Sequence, residues 1–587
     1  MKRNQLRKYI IWSLLAIITS LSAQQQLFVY KTTGSILNFN ITGIDSLKIT
    51  NSNLYLTLYK NDATSTNILI AAIDSMKIFE PQTVTYTAPT YADDYSSISA
   101  WAYRANWNLA NLHDPTVARF GDYFYMSQTD ASYGNVTAGR GHYLIRRSKD
   151  LLNWSIVGFP MAETPPTWIK DSLNAIRGRM GLAAIASPSY GFWAPVIRNV
   201  GNKLRMYYAV IIDNYIGNGL QNTAANFDNT WTERAFIGMM ESTNPAGNVW
   251  VDKGYVISSV SDKTSYARSS TSDWSAYFKW NAIDPTYIVT PAGEHWLIYG
   301  SWHSGIPAVK LDAETGKPLQ LKTLADYGTR VARRTNNDAN RWQGQEGPEV
   351  IYNPKTGFYY LFLAYDELSV NYNTRVCRAK NINGPYYGYT NSVTNYSTGA
   401  NITAGAECYP IITHPYKFNN HSGWVGFSHC AVFQDTVSGQ WYYCSQARLP
   451  ANTNGNAYSN AIMMGHLRKI LWTDDGWPVV LPERYAGVPQ TMITDNDLVG
   501  NWEYINLAYS AGVQKTSTTL TLTADYKATG AITGSWSYNA YTGTLTIGSF
   551  KVKVQRELDW EASPRVPTIV YAGLTSSGIS LWGKKIQ

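Results

Sequence analysis

Three carboxylates of this 587-residue chain, Asp114, Asp284 and Glu346, open similar units of a loose internal repeat. Each unit is an apolar strand, a polar Gly-containing turn and an aromatic strand. They run from His113-Asp-Pro-Thr-Val-Ala to Tyr123-Phe-Tyr-Met, from Asp284-Pro-Thr-Tyr-Ile to Trp296-Leu-Ile-Tyr, and from Glu346-Gly-Pro-Glu-Val-Ile to Phe358-Tyr-Tyr. Two further units open with Trp193-Ala-Pro-Val-Ile and His429-Cys-Ala-Val-Phe. Acids that share a register in separate units meet wherever the units share an axis. Acetal hydrolysis needs such a set: one carboxyl protonated to donate to the leaving oxygen, another ionised to activate water. A third acid beside the donor raises the donor's pKa by like-charge repulsion. Taken singly, each Asp-Pro reads more readily as a turn opener than as a catalytic acid, and Glu349 rivals Glu346; the shared offset is what favours catalysis.

The units that position these acids begin at 114, 193, 284, 346 and 429, in steps of 62 to 91 residues. A four-stranded blade takes about 40–50 residues, so each step holds one blade and its inserted loops. Five blades round one axis make a β-propeller whose first strands line the channel. Composition agrees, because 21 Trp, 43 Tyr and 44 Gly with only 15% charged residues suit short strands and tight turns. The predicted class is all-β: a five-bladed β-propeller catalytic domain over 101–487, flanked by small N-terminal and C-terminal β modules. The N-terminal module, 24–80, contains Gly43-Ile-Asp-Ser-Leu-Lys-Ile49 and its near copy Ala72-Ile-Asp-Ser-Met-Lys-Ile78, and reads as a spacer or attachment unit. Residues 81–100 read as a linker, and the alternating tail 491–587 as a compact antiparallel module.

Residues 1–23 have a basic start, an apolar run from Tyr9 to Ile18 and a Leu21-Ser-Ala23 end, the pattern of a secretory signal peptide. The run is shorter than the ~20 apolar residues of a membrane span, and no later stretch is long enough. Periplasm, cell surface and medium are equally compatible destinations. Without this leader the formal charge falls from +8 to +4 with no basic run, so nucleic acid is not an expected partner. In an exported chain Cys377, Cys408, Cys430 and Cys444 either pair or stay as buried thiols; Cys430 and Cys444 flank a hairpin in which they can face each other.

The central segment resembles glycoside hydrolase family 43, and within it the endo-acting arabinanases. The resemblance is carried by His113-Asp-Pro115, Phe192-Trp-Ala-Pro195, Asp284-Pro with Tyr299-Gly-Ser-Trp-His-Ser-Gly305, and Glu346-Gly-Pro348. Tyr372-Asn-Thr-Arg-Val-Cys-Arg378, Asp475-Gly-Trp-Pro-Val479 and Pro482-Glu-Arg-Tyr-Ala-Gly487 extend it, and the tail is similar to the lipocalin-like β domain of longer extracellular members. It implies an inverting propeller hydrolase with Asp114 as general base, Glu346 as general acid, and Asp284 tuning and orienting that acid. It also implies a calcium ion on the axis, held by His429 directly or through water. The implied substrate is arabinan, a side chain of plant pectin, cleaved internally at α-1,5-L-arabinofuranosidic bonds. An exo-acting α-L-arabinofuranosidase or β-xylosidase is the alternative on the same fold, and a non-catalytic glycan-binding propeller the alternative from another class. Sugars present apolar faces ringed by hydroxyls. Trp193, Trp302 and Phe192 are the candidate aromatic floors, with Ser301, His303 and Asn373 as polar partners. Segments 178–191 and 214–234 are candidate rim loops.

Overall fold

The computed structural model describes residues 25–79, 85–130, 140–213, 223–225, 227–230, 233–263, 267–273, 275, 277–334, 341, 344–368, 370–389, 410–418, 420–453 and 463–586. The leader, Cys408 and much of 214–234 lie outside them.

The fold is all-β, and between Thr116 and Val480 it consists of five four-stranded antiparallel meanders in chain order. Their first strands are Thr116–Phe120 (sheet I), Tyr190–Val200 (sheet II), Thr286–Val289 (sheet III), Gln345–Asn353 (sheet IV) and Cys430–Gln434 (sheet V). These strands neighbour one another in the closed cycle I–II–III–IV–V–I. Each meander has a neighbour on both faces, which is why a second strand such as Phe358–Tyr365 is apolar almost throughout and buried on both sides. Full burial of each of its Leu and Phe side chains contributes about 1.5–3 kcal/mol. The hairpins between first and second strands turn at Gly121, Gly201, Gly293, Gly357 and Gly439, all with φ between +60° and +78°, a conformation that glycine adopts without a Cβ clash.

One carboxylate ties the ring together. Glu349, in the first strand of sheet IV, accepts from Arg198 Nη2 of sheet II at 2.5 Å, from Thr286 Oγ1 of sheet III at 2.8 Å and from the Val432 amide of sheet V at 3.0 Å. Arg198 Nη1 in turn approaches Thr116 Oγ1 of sheet I at 3.5 Å. All five first strands therefore touch one polar network.

Residues 25–79 form two three-stranded sheets. The two copies of the short repeat become equivalent strands, Ile44–Thr50 and Ile73–Phe79, each following a 3-10 turn. Residues from Gly500 to Lys585 close into an eight-stranded barrel. It docks on the central ring through Trp582, whose Nε1 donates to Val480 O at 2.7 Å, and Trp560, whose Nε1 donates to Arg484 O at 2.8 Å. A helix, Thr167–Arg179, fills the connection between sheets I and II, burying Ile169 and Leu173. No helix among the described residues is long and apolar enough to cross a membrane.

The Cys430–Cys444 facing expected from the hairpin does not occur. The register pairs Cys430 with Ser445 and Ala431 with Cys444, so the two thiols are one step out of register and project from opposite faces. Cys377, Cys430 and Cys444 are buried.

Candidate active site

The ring brings the predicted acids together by a backbone device the sequence does not display. Asp114, Asp284 and His429 stand just before the first strands of sheets I, III and V, and Gly347 lies at a register shift within that of sheet IV; all four adopt a left-handed conformation, with φ of 47°, 50°, 52° and 55° respectively. Sheet II has no such residue; it carries a bulge between Trp193 and Pro195 at the matching place. A left-handed non-glycine residue costs about 1–2 kcal/mol, and such strain concentrates where side chains must be aimed. The shared offset of the three acids is therefore corrected. Asp114 and Asp284 occupy equivalent positions directly before a proline, but the equivalent of these in sheet IV is Gly347, and Glu346 stands one residue earlier.

Asp114 is buried and firmly held. Its Oδ2 accepts from Thr129 Oγ1 at 2.8 Å, and its Oδ1 from Gln446 Nε2 at 3.3 Å. Two imidazoles flank it, His113 Nδ1 at 2.7 Å from Oδ2 and His429 Nδ1 at 3.0 Å from Oδ1. Burial alone would push this carboxyl up, but His113 and His429 outweigh it and hold it well below the usual carboxylate range. Asp284 shows the opposite balance. Burial raises it, Glu346 and Asp114 add to that by like charge, and His429 opposes, leaving it pushed up to about 7. Its Oδ2 accepts the Gly347 amide at 3.1 Å, so it lies beside the residue that follows Glu346. Glu346 is half-buried and oriented by three donors: Ser301 Oγ and Trp302 Nε1, each 2.8 Å from Oε2, and Tyr372 OH, 2.5 Å from Oε1. One site thus holds an ionised carboxylate, a carboxyl raised to about 7, and a third carboxyl aimed by fixed donors.

The predicted sugar-facing residues divide. Trp193 is 39% exposed, a flat ring open to solvent at the mouth of sheet II. Ser301 and Trp302 contact the acid itself. Phe192 is buried instead, stacked on His142 with ring centroids 3.5 Å apart, while His142 pairs with Asp130 at 2.6 Å. His303 is buried, its Nδ1 2.9 Å from Phe278 O and its ring against Tyr277. Asn373 is fully buried, donating to Asp366 Oδ2 at 2.7 Å and accepting from Arg375 Nε at 3.0 Å. All three are thus buried among protein partners. Glu349 belongs to the ring network.

Four contacts escaped sequence reasoning: His113, Thr129, Gln446 and Tyr372. Two of them lay inside the motifs already singled out, His113 before the first acid and Tyr372 before Asn373. Gln446, 332 residues from Asp114 in the chain, has no sequence signal, because only closure of the ring brings sheet V back to sheet I.

A calcium ion takes six to eight oxygen ligands. His429 turns Nδ1 to Asp114, leaving one ring nitrogen for a metal, and metals bind the neutral ring. Asp114, Asp284 and Glu346 here hold His429 protonated up to about 10. Among the described residues the group of carboxylates close enough to cage an ion is Glu483, Asp559 and Glu561, in the barrel interface, where Lys584 Nζ lies 2.7–3.2 Å from all three. With a single imidazole offered here, a calcium ion beside His429 takes most of its oxygen ligands from water.

The family model for glycosyl hydrolases family 43 matches residues 109–478, and that for a C-terminal lipocalin-like domain matches 482–583. An extracellular endo-α-(1→5)-L-arabinanase of Thermotoga petrophila is 26% identical over 506 residues, covering 81% of this chain and 94% of that protein. An extracellular exo-α-(1→5)-L-arabinofuranosidase of Cellvibrio japonicus is 25% identical over 377 residues, covering 63% of this chain and 86% of its own. The crystal structure of an endo-1,5-α-L-arabinanase from Thermotoga petrophila superposes with a TM-score of 0.62 at 22% identity, covering 82% of this chain and 99% of that one, which shows a common fold. With its matched segment spanning more than half of its length, the chain belongs to glycoside hydrolase family 43.

Proposed function

We propose that this protein is a secreted, inverting hydrolase that cleaves internal α-1,5-L-arabinofuranosidic bonds of arabinan, and that its five meanders are the blades of a five-bladed β-propeller over 101–487. The observation that carries this reading is the convergence of Asp114, Asp284 and Glu346 from sheets I, III and IV, each with a different set of partners. Asp114, kept ionised by two imidazoles, takes a proton from water as the water oxygen attacks the anomeric carbon. Glu346, aimed by Ser301, Trp302 and Tyr372, gives its proton to the departing O5 as the glycosidic bond breaks. Asp284 orients the acid's segment through Gly347 and keeps a proton beside it. An inverting pair of this kind stands ~6.5–9.5 Å apart, leaving room for the water.

Trp193 supplies an exposed aromatic face for a sugar ring. The extracellular descriptions of relatives support export, with 1–23 as the leader. Residues 24–80 act as a spacer or attachment unit and 491–587 as a cap on the propeller, as the buried Trp560 and Trp582 suggest. Calcium enters this reading only as an ion carried mainly by its own water beside His429, and no step runs through it; elemental analysis of the purified chain tests it.

A timed product profile on linear arabinan and on xylan tests the function. Arabino-oligosaccharides of intermediate length appear first if the reading is right. Monosaccharide alone from the first minutes would make the enzyme exo-acting, and retention on arabinan without any product would make it a binder.

A further inference from the structure

A crevice of about 810 Å³ at the outer edge of sheet II has no part in the chemistry proposed above. Strand pairing fixes the end of the sheet at which it lies. Tyr190 in the first strand pairs with Ile212 in the second, and Ile212 with Arg234 in the third; Phe236 pairs with Ser258 in the fourth. Arg234 and Ser258 line the crevice, so it opens at the same end of the sheet as Trp193. Two strand spacings, about 10 Å, separate the Trp193 strand from the Arg234 strand. Ser259, another lining residue, joins the crevice to the catalytic segment. Its Oγ donates to Asn281 Oδ1 at 2.9 Å and accepts the Ala282 amide at 3.2 Å, two residues before Asp284.

The walls are charged in one sense. Among the described residues three cations, Arg179, Arg234 and Lys263, line the crevice against one acid, Asp228, and Asp228 already accepts from the Thr230 amide at 3.1 Å and from its hydroxyl. Arg234 is a fixed charge, 4% exposed, with Nη1 donating to Ser259 O at 3.0 Å and its guanidinium 4.7 Å from the centre of the Phe278 ring. Arg179, at the end of the helix, and Lys263 are exposed at the rim. Tyr255 and Tyr327 supply aromatic surface, and Ser258 and Ser261 supply hydroxyls. Aromatic rings and hydroxyls suit a sugar; a net positive wall suits an anion. A neutral arabinofuranose chain carries no charge for these cations to meet.

We infer that this crevice binds a carboxylate-bearing sugar, a uronic acid residue of the polysaccharide whose neutral branch enters the catalytic site. The inference rests on the arabinan reading for what occupies that neighbouring site, and adds that the enzyme holds an acidic portion of the same polymer while cutting a neutral one.

The test is calorimetric titration of the full chain with trigalacturonate and with its methyl ester at low salt, alongside hydrolysis of neutral linear arabinan by the same preparation. Trigalacturonate is expected to bind at least about tenfold more tightly than the ester. Arg179→Glu combined with Lys263→Glu is expected to weaken it by about tenfold or more, since like charges at a contact are strongly unfavourable. Both side chains are exposed, so an unchanged melting temperature will show that the variant folds. Equal binding of acid and ester, equal binding by the charge-reversed variant, or no binding of trigalacturonate overturns the inference. The arabinan assay separates the two ideas: product without uronate binding removes the crevice and leaves the function, whereas uronate binding without product does the reverse.

Discussion

Glu349 lies three residues from Glu346, and replacing each in turn separates a carboxylate that holds the ring from one that works in it. The Glu349 side chain is 5% exposed and that of its partner Arg198 19%. Glu349→Ala leaves Arg198 without its carboxylate, at about 3–5 kcal/mol for a broken buried pair, and leaves the buried Val432 amide without its acceptor, at about 1–3 kcal/mol. Partial exposure of Arg198 moderates the first figure, so about 4–6 kcal/mol is expected in all. Glu349→Gln keeps the volume, and its carbonyl can serve both Arg198 and Val432 while its amide turns to the Thr286 hydroxyl. That change costs about 1–3 kcal/mol, the worth of the charge assistance. At about 2–4 °C per kcal/mol for a large domain, the Ala variant melts roughly 8–24 °C lower and the Gln variant roughly 2–12 °C lower. Differential scanning calorimetry reads the shifts, and arabinan hydrolysis well below the transition reads the chemistry. The Gln variant is predicted to keep kcat within about threefold of the parent, whereas loss of a general acid lowers it by about 10²–10⁴. A Glu349→Gln protein with a normal melting temperature and kcat down a thousandfold would refute this reasoning and make Glu349 the acid.

Three further outcomes follow from the site. Tyr372→Phe removes the hydroxyl 2.5 Å from Glu346 Oε1; a charge-assisted bond of about 1.5–3 kcal/mol predicts a kcat about 10- to 100-fold lower with KM little changed, and an unaltered kcat would remove Tyr372 from the orienting set. Gly347→Ala combines a φ of +55° with a new Cβ 2.9 Å from His429 Cγ, so a kcat at least about tenfold lower is expected from the strain and displaced ring; full activity would show that the ring yields freely. Asp284, raised to about 7 by burial and its acidic neighbours, contributes stability that is fully present below the ordinary carboxyl range and is lost as pH rises through about 7. Urea unfolding of Asp284→Asn should therefore show stability relative to the parent growing from pH 4 to pH 8, by up to about 1.4 kcal/mol per pH unit; a pH-independent difference would sink that assignment.

Much of this architecture is written in local pattern. Gly121, Gly201, Gly293, Gly357 and Gly439 fall between an apolar and an aromatic strand, so the five hairpins and the acids at their openings are legible without coordinates. Errors enter where one residue decides a face. Asn373 turns to Asp366 while its neighbour Tyr372, just before the strand, reaches Glu346, a one-residue difference that local pattern leaves undetermined. The same one-step ambiguity hid the equivalence of Gly347 with Asp114 and Asp284, since aligning by acid and aligning by proline differ by one position and only the backbone φ decides. It also separated Cys430 from Cys444. Contacts made by ring closure, such as Gln446 on Asp114, leave no local trace.

The central claim is that Asp114 and Glu346 act on opposite sides of the scissile bond with a water between them. Proton NMR of linear α-1,5-arabinan during the first minutes of hydrolysis tests it most directly, because the new reducing end is observed before it mutarotates. Inversion yields the β-anomer first, and Asp114→Asn and Glu346→Gln are each expected to abolish it. The α-anomer appearing first would mean retention through a covalent intermediate and would contradict the assignment of Asp114 as a base acting through water.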